Sequence, residues 1–127
     1  MESLSDNGQS DAYLWGRLYA AALALEAIRT GNGDWLGDQS KILKAVKSPR
    51  STLAPHLREL ANRLLEAKQK SAARGKAAAE VFKAIPELVP AKGQLPNTLG
   101  DTEAAQFLDG FHAQKRSYEE EYGALVK

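Results

Sequence analysis

The 127-residue sequence contains no cysteine, which excludes a disulfide framework, a thiolate metal site and a cysteine nucleophile. Its only histidines, His56 and His112, lie far apart in the chain and leave little material for a zinc site. No stretch approaches the ~20 consecutive apolar residues of a membrane-spanning helix, and residues 1–10 are polar and acidic with no apolar leader segment. A cytoplasmic protein without a membrane partner is expected. β-Branched residues are also scarce, with 4 Val, 3 Ile and 4 Thr against 21 Ala and 17 Leu. Alanine and leucine favour helices, whereas strands draw on the branched residues that are missing. The expected fold is therefore all-α, a compact bundle of four to five helices. The length is that of one domain. A flexible N-terminal segment over 1–10 and a single helical domain over 11–127 are expected.

What is present in abundance is positive charge in one place. Residues 1–40 carry 2 basic and 6 acidic residues, residues 41–76 carry 10 basic and 2 acidic, and residues 77–127 carry 5 basic and 8 acidic. A central segment at net +8 between two acidic arms describes a molecule with one face suited to a polyanion.

Hydrophobic spacing places the helices. Ser10 or Asp11 caps a first helix running to Thr30, where Gly31, Asn32 and Gly33 stop it. Leu14, Leu18, Ala21, Leu25 and Ile28 form one face, while Trp15, Tyr19 and Leu23 occupy a second flank. A helix apolar nearly all round is either central or shared with a partner. Trp15, Tyr19 and Leu23 are read here as a protein interface, with Trp15 or Tyr19 partly exposed. Asp34 to Lys47 reads as a second helix with Leu36, Leu43 and Val46 turned inward, ended at Ser48 by Pro49. Arg50 falls in the turn. The third and longest helix opens near Ser51, with Leu53, Leu57, Leu60, Leu64 and Ala67 as its stripe, and Gly75 marks a break or kink. On that wheel Arg63, Lys70 and Arg74 align as a basic ridge. A connector over 86–100 leads to a last helix that begins at Gly100 or Asp101. Its end is expected to fray at Glu119, Glu120 and Glu121, which oppose the helix dipole.

No catalytic constellation emerges. His56 and His112 lack a neighbouring nucleophile pattern and read as edge-of-core or surface residues. Gly31-Asn32-Gly33 follows a helix, so it is a C-cap and not a phosphate loop. Trp15, Trp35, Phe107 and Phe111 read as core or interface rather than base-stacking platforms. No catalytic residue, metal ligand or cofactor is assigned. The nucleic-acid-binding residues are expected to be Lys41, Lys44, Lys47, Arg50, Arg63, Lys70, Arg74 and Lys76, whose long stems suit phosphate contacts.

Three groups of residues carry a likeness to a known family. They are Gly16-Arg17-Leu18-Tyr19-Ala20; Ser48-Pro49 with Leu53, Leu57, Leu60 and Leu65; and Leu95-Pro96, Leu99, Glu103, Phe107, Gly110, Phe111 and Gln114. Over about residues 13–114 the chain resembles the C-terminal helical region of the type I-C CRISPR Cascade large subunit, which is also made separately as a small subunit. The family commonly ends in Gly-Tyr-Tyr-His-Gln, and this chain has Ala113 in the histidine's place. The segment from Lys41 to Lys47 is also more basic than the family's.

The resemblance implies a non-catalytic helical bundle, present in more than one copy along the Cascade filament. Its partners would be the backbone and large subunits, the guide RNA and the target DNA, whose displaced non-target strand it would help to hold. Guide pairing exchanges one duplex for another of similar stability, so such contacts tip a nearly balanced reaction. The alternative is a free-standing nucleic-acid-binding or scaffold protein outside CRISPR.

Overall fold

The computed structural model describes residues 10–32, 39–90 and 94–125. The segment 1–9 and the residues Gly33, Asp34, Trp35 and Leu36 lie outside the described residues, and so do the expectations placed on them. The described chain is all-α, with six helices and no strand: α1 (Asp11–Thr30), α2 (Gln39–Lys47), α3 (Pro49–Arg58), α4 (Leu60–Lys70), α5 (Ala72–Ala84) and α6 (Asp101–Tyr122). Short 3₁₀ turns follow α5 (Ile85–Leu88) and α6 (Gly123–Leu125).

Helix α1 starts and stops where the sequence predicts. The Ser10 hydroxyl accepts from the Tyr13 amide at 3.2 Å, satisfying an otherwise orphan donor. Gly31 takes the left-handed conformation, φ 78°, and its amide donates to the Ala27 carbonyl. Between these caps α1 is buried on all sides, packed against α3, α4, α5 and α6. Trp15 is 4% exposed, Tyr19 1% and Leu23 0%, so the interface expected from these three residues is corrected. A helix apolar all round had two possible explanations, and α1 is the central helix of its own bundle.

The closest packing is between α1 and α6. A β-carbon on Gly16 would overlap the Phe107 carbonyl and stand 2.9 Å from the Phe111 amide nitrogen. One on Gly110 would overlap the Tyr13 carbonyl and stand 3.2 Å from the Tyr13 Cα. Each helix thus presents a glycine to the other's backbone, and Phe107 and Phe111 reach the Tyr19 ring at centroid separations of 6.2 and 5.6 Å.

The expected long third helix is three helices. Pro49 opens α3, a position where its missing N–H costs nothing, so Arg50 is helical rather than in a turn. At Glu59 the amide donates to His56, three residues back, and the chain shifts phase before α4. Ser71 adopts an extended conformation and its hydroxyl caps α5 through the Arg74 amide at 3.1 Å, so the break lies there and not at Gly75. Gly75 is buried inside α5, where a β-carbon would meet the Lys68 Cα at 3.0 Å. The phase shift explains which residues turn inward: Leu53 and Ala67 are buried, Arg63 takes the inward position one turn before Ala67, and Leu57, Leu60 and Leu64 are only half-buried. Helix α6 is longer than any of the three. It stays helical through Glu119–Glu121 to Tyr122, with Lys115 pairing to Glu119 at 3.0 Å and the Tyr122 hydroxyl donating to Glu80 at 2.8 Å.

Candidate nucleic-acid interface

Helix α2 is short and divided cleanly. Ile42 and Ala45 are buried and Val46 is half-buried, while Lys41, Lys44 and Lys47 are exposed. Spaced by three, the lysines sweep an arc of about 120° on the side away from the core. Leu43, expected to face inward, is 53% exposed, because the i, i+3, i+4 face is taken by Ile42, Ala45 and Val46. The Tyr19 hydroxyl donates to the Lys41 carbonyl at 3.4 Å and fastens α2 to the middle of α1.

The remaining expected cations divide among three fates. Lys70 and Lys76 are exposed, and Arg74 is half-buried beside Gly31, at the far end of α1. Arg50 is exposed, but its Nε and Nη2 donate to the Leu95 carbonyl at 2.9 and 2.6 Å, holding the connector against α3. Arg63 is 8% exposed and cannot be a phosphate contact. Its Nη1 donates to the Ala22 carbonyl at 2.9 Å, its Nε pairs with Glu26 at 3.2 Å, and its Nη2 meets His56 Nδ1 at 3.0 Å. The expected ridge of Arg63, Lys70 and Arg74 therefore does not exist as one line. It required an unbroken helix, and the chain breaks at Ser71.

What separates the two exposed basic groups is a network of mixed sign. Glu26 pairs with both Arg29 and Arg63, and Arg29 bridges on to Glu66 at 2.8 Å. Along α1 this network lies between Tyr19, beside Lys41, and Gly31, beside Arg74, a distance of about 18 Å at 1.5 Å per residue. Burial lowers the pKa of Arg63 and Glu26 opposes that effect, so the guanidinium stays charged.

His56 belongs to the same layer. Arginine can only donate, so His56 Nδ1 must accept and the ring carries its proton on Nε2. Burial first, and then the positive charges of Arg63 and Lys41, push its pKa below the ordinary 6.5. Its ring meets Tyr19 edge-on at 5.7 Å. Between α2 and α3, above this pair, lies an open cavity of about 470 Å³, bordered by Lys41, Lys44, Ser51 and Thr52. Sequence reasoning missed Ser51 and Thr52 as site residues. Their signal was the Ser48-Pro49 turn, which folds α3 back beside the lysines of α2.

The motif residues of α1 and α6 have a structural explanation. Gly16 and Gly110 permit the helix crossing, the Gln114 side chain accepts from Arg17 Nε at 2.7 Å, and Tyr19 packs on Phe107 and Phe111. His112 stacks edge-on against Phe111 at 5.5 Å, and Ala113 next to it is half-buried. These residues build the bundle, and of them Tyr19 also reaches α2, through the Lys41 carbonyl and the cavity described above. Among the described residues no group of three His, Asp or Glu side chains could hold a metal ion, and no helix is long and apolar enough to cross a membrane. No protein-family model, curated protein or solved structure matches the chain.

Proposed function

We propose that this chain is a non-catalytic small subunit of a type I-C Cascade in the cytoplasm, contacting nucleic-acid phosphates without base preference and stabilising the displaced non-target strand. The observation that carries this reading is the solvent-facing lysine arc of α2, with Lys41, Lys44 and Lys47 turned away from a complete hydrophobic core. Three cations on one rigid helix lower the free energy of any nearby phosphate chain and carry no sequence code. The resemblance of residues 13–114 supplies the assembly, and the buried α1–α6 crossing accounts for those of its residues that lie on these two helices. Packing along a backbone filament in several copies would then use surface outside α1.

A second reading gains from the burial of Trp15, Tyr19 and Leu23. With no apolar flank of α1 left over, a free-standing binder of single-stranded nucleic acid fits the same lysine arc. One reconstitution separates the two. Cascade backbone, large subunit and guide RNA are assembled with and without this chain, and retention of the non-target strand is followed by its accessibility to a single-strand nuclease. Loss of protection without the chain supports the small-subunit reading. Equal protection and equal target affinity in both preparations overturn it, and single-strand binding by the isolated chain then favours the free-standing binder.

A further inference from the structure

The cavity between α2 and α3 is more than a patch of charge, because its walls differ in chemistry. Lys41 and Lys44 stand on one side, a single helical turn apart, about 5–6 Å between β-carbons. Ser51 and Thr52 of α3 also line the cavity, and their hydroxyls donate only long bonds of 3.4 and 3.5 Å to the Ser48 and Lys44 carbonyls. Hydroxyls so weakly engaged can turn toward a ligand at little cost. Pro55, His56 and Tyr19 add ring surface to the lining. The His56 ring is held by Arg63 at 3.0 Å and by its edge contact with Tyr19, so its orientation is fixed.

A volume of about 470 Å³ falls within the roughly 300–1,000 Å³ typical of small-molecule sites and exceeds what a lone phosphate would fill. Two lysines and three rings lining one cavity match a ligand that is anionic at one end and flat and aromatic at the other. We propose that this cavity receives one nucleotide of a single-stranded nucleic acid, its phosphate between Lys41 and Lys44 and its base over Pro55 and His56. Single strands allow this because an unpaired base can leave its neighbours and stack on a protein ring at modest cost. The site rests on the phosphate-binding reading and deepens it: the lysine arc tracks the backbone, and the cavity fixes a point along it. Stacking accepts any base, so sequence tolerance is preserved.

The test uses the full chain and two probes. In the first, deoxythymidine monophosphate, inorganic phosphate and thymidine are titrated separately while amide resonances are followed by NMR. The monophosphate is expected to give saturable shifts at Thr52 and His56, with at least about ten-fold tighter binding than inorganic phosphate, the scale expected from one stacked base. In the second, a fluorescent single-stranded oligodeoxythymidine is bound to the parent and to Ser51→Phe. Ser51 is exposed and lines the cavity, so the larger ring narrows the site and removes no cation. Ser51→Phe is expected to weaken oligonucleotide binding about ten-fold with an unchanged salt slope, at an unchanged melting temperature. Equal binding of inorganic phosphate and the monophosphate overturns the proposal, even if the variant misfolds. So does lysine-dependent oligonucleotide binding that Ser51→Phe leaves intact, and that outcome keeps the phosphate-binding reading alive. An oligonucleotide that fails to bind the parent at all overturns both.

Discussion

The Arg63 guanidinium reaches from α4 to the Ala22 carbonyl on α1 at 2.9 Å, and that contact turns a residue of the basic segment into part of the core. The same side chain pairs with Glu26 and leans on His56, so one arginine ties α1, α3 and α4 together. Removing one member of a buried pair leaves its partner desolvated. Glu26 keeps Arg29, which limits the loss. Arg63→Ala is expected to lower unfolding free energy by up to about 3 kcal/mol, measured by urea denaturation. Arg63→Lys should recover little of this, because an ammonium cannot serve three acceptors in the fixed fork geometry. The slope of nucleic-acid affinity against salt should not change in a folded Arg63 variant.

The exposed lysines should behave in the opposite way. Each single-strand phosphate neutralised contributes about 0.7 to the slope of log affinity against log salt. Lys41→Ala, Lys44→Ala and Lys47→Ala combined are expected to flatten that slope by up to about 2 units. Stability should hold or rise slightly, since alanine is the stronger helix former at exposed positions. The pair Lys70→Ala and Lys76→Ala tests the second basic group separately. Arg74 of this group lies beside Gly31, about 18 Å along α1 from Tyr19 and Lys41, so a short oligonucleotide is expected to respond to one set and not to both. Fluorescence anisotropy across a salt series reads both effects.

The α1–α6 crossing gives a stability prediction independent of function. Gly16→Ala and Gly110→Ala each push a methyl group into the opposing backbone, which cannot move aside as a flexible side chain would. Each is expected to cost at least about 1–3 kcal/mol, the usual range for overpacking. Gly123→Ala is the control, because nothing lies within 4 Å of a β-carbon there. Thermal melting of the three variants should rank Gly123→Ala with the parent and the other two well below.

His56 makes stability depend on pH. Its pKa is lower in the folded chain than the ordinary 6.5, so the unfolded chain takes up the proton first as pH falls. The stabilisation is fully present above pH 6.5 and is lost as the pH drops from there through the folded-state pKa. Protonation would also place a second donor against Arg63 Nη2. Of the charges that act on the ring, Arg63 and Lys41 oppose protonation and Glu26 favours it. Melting temperature is expected to fall between about pH 7 and pH 5, and His56→Gln, which retains an acceptor for Arg63, should reduce that fall. An identical decline in both proteins would assign it to carboxylates instead.

Sequence alone determined the fold class, because a chain rich in alanine and leucine and poor in branched residues has no material for a sheet. It also determined both ends of α1, since Ser10 and Gly31 act through their own backbone and nearest turns. The lysine arc of α2 was legible for the same reason: spacing by three fixes a face of a helix wherever the helix lies. Tertiary structure decided the rest. Periodicity shows that α1 is apolar on two flanks, but only the packed bundle decides that Trp15, Tyr19 and Leu23 meet the protein's own residues and not a partner. Charge counting cannot distinguish Lys44 from Arg63. Pro49, the shift at Glu59 and the break at Ser71 rotate each helix by amounts that no single wheel carries. That rotation sends Arg63 inward to Glu26 and Ala22, and it brings Ser51 and Thr52 beside lysines that precede them in another helix.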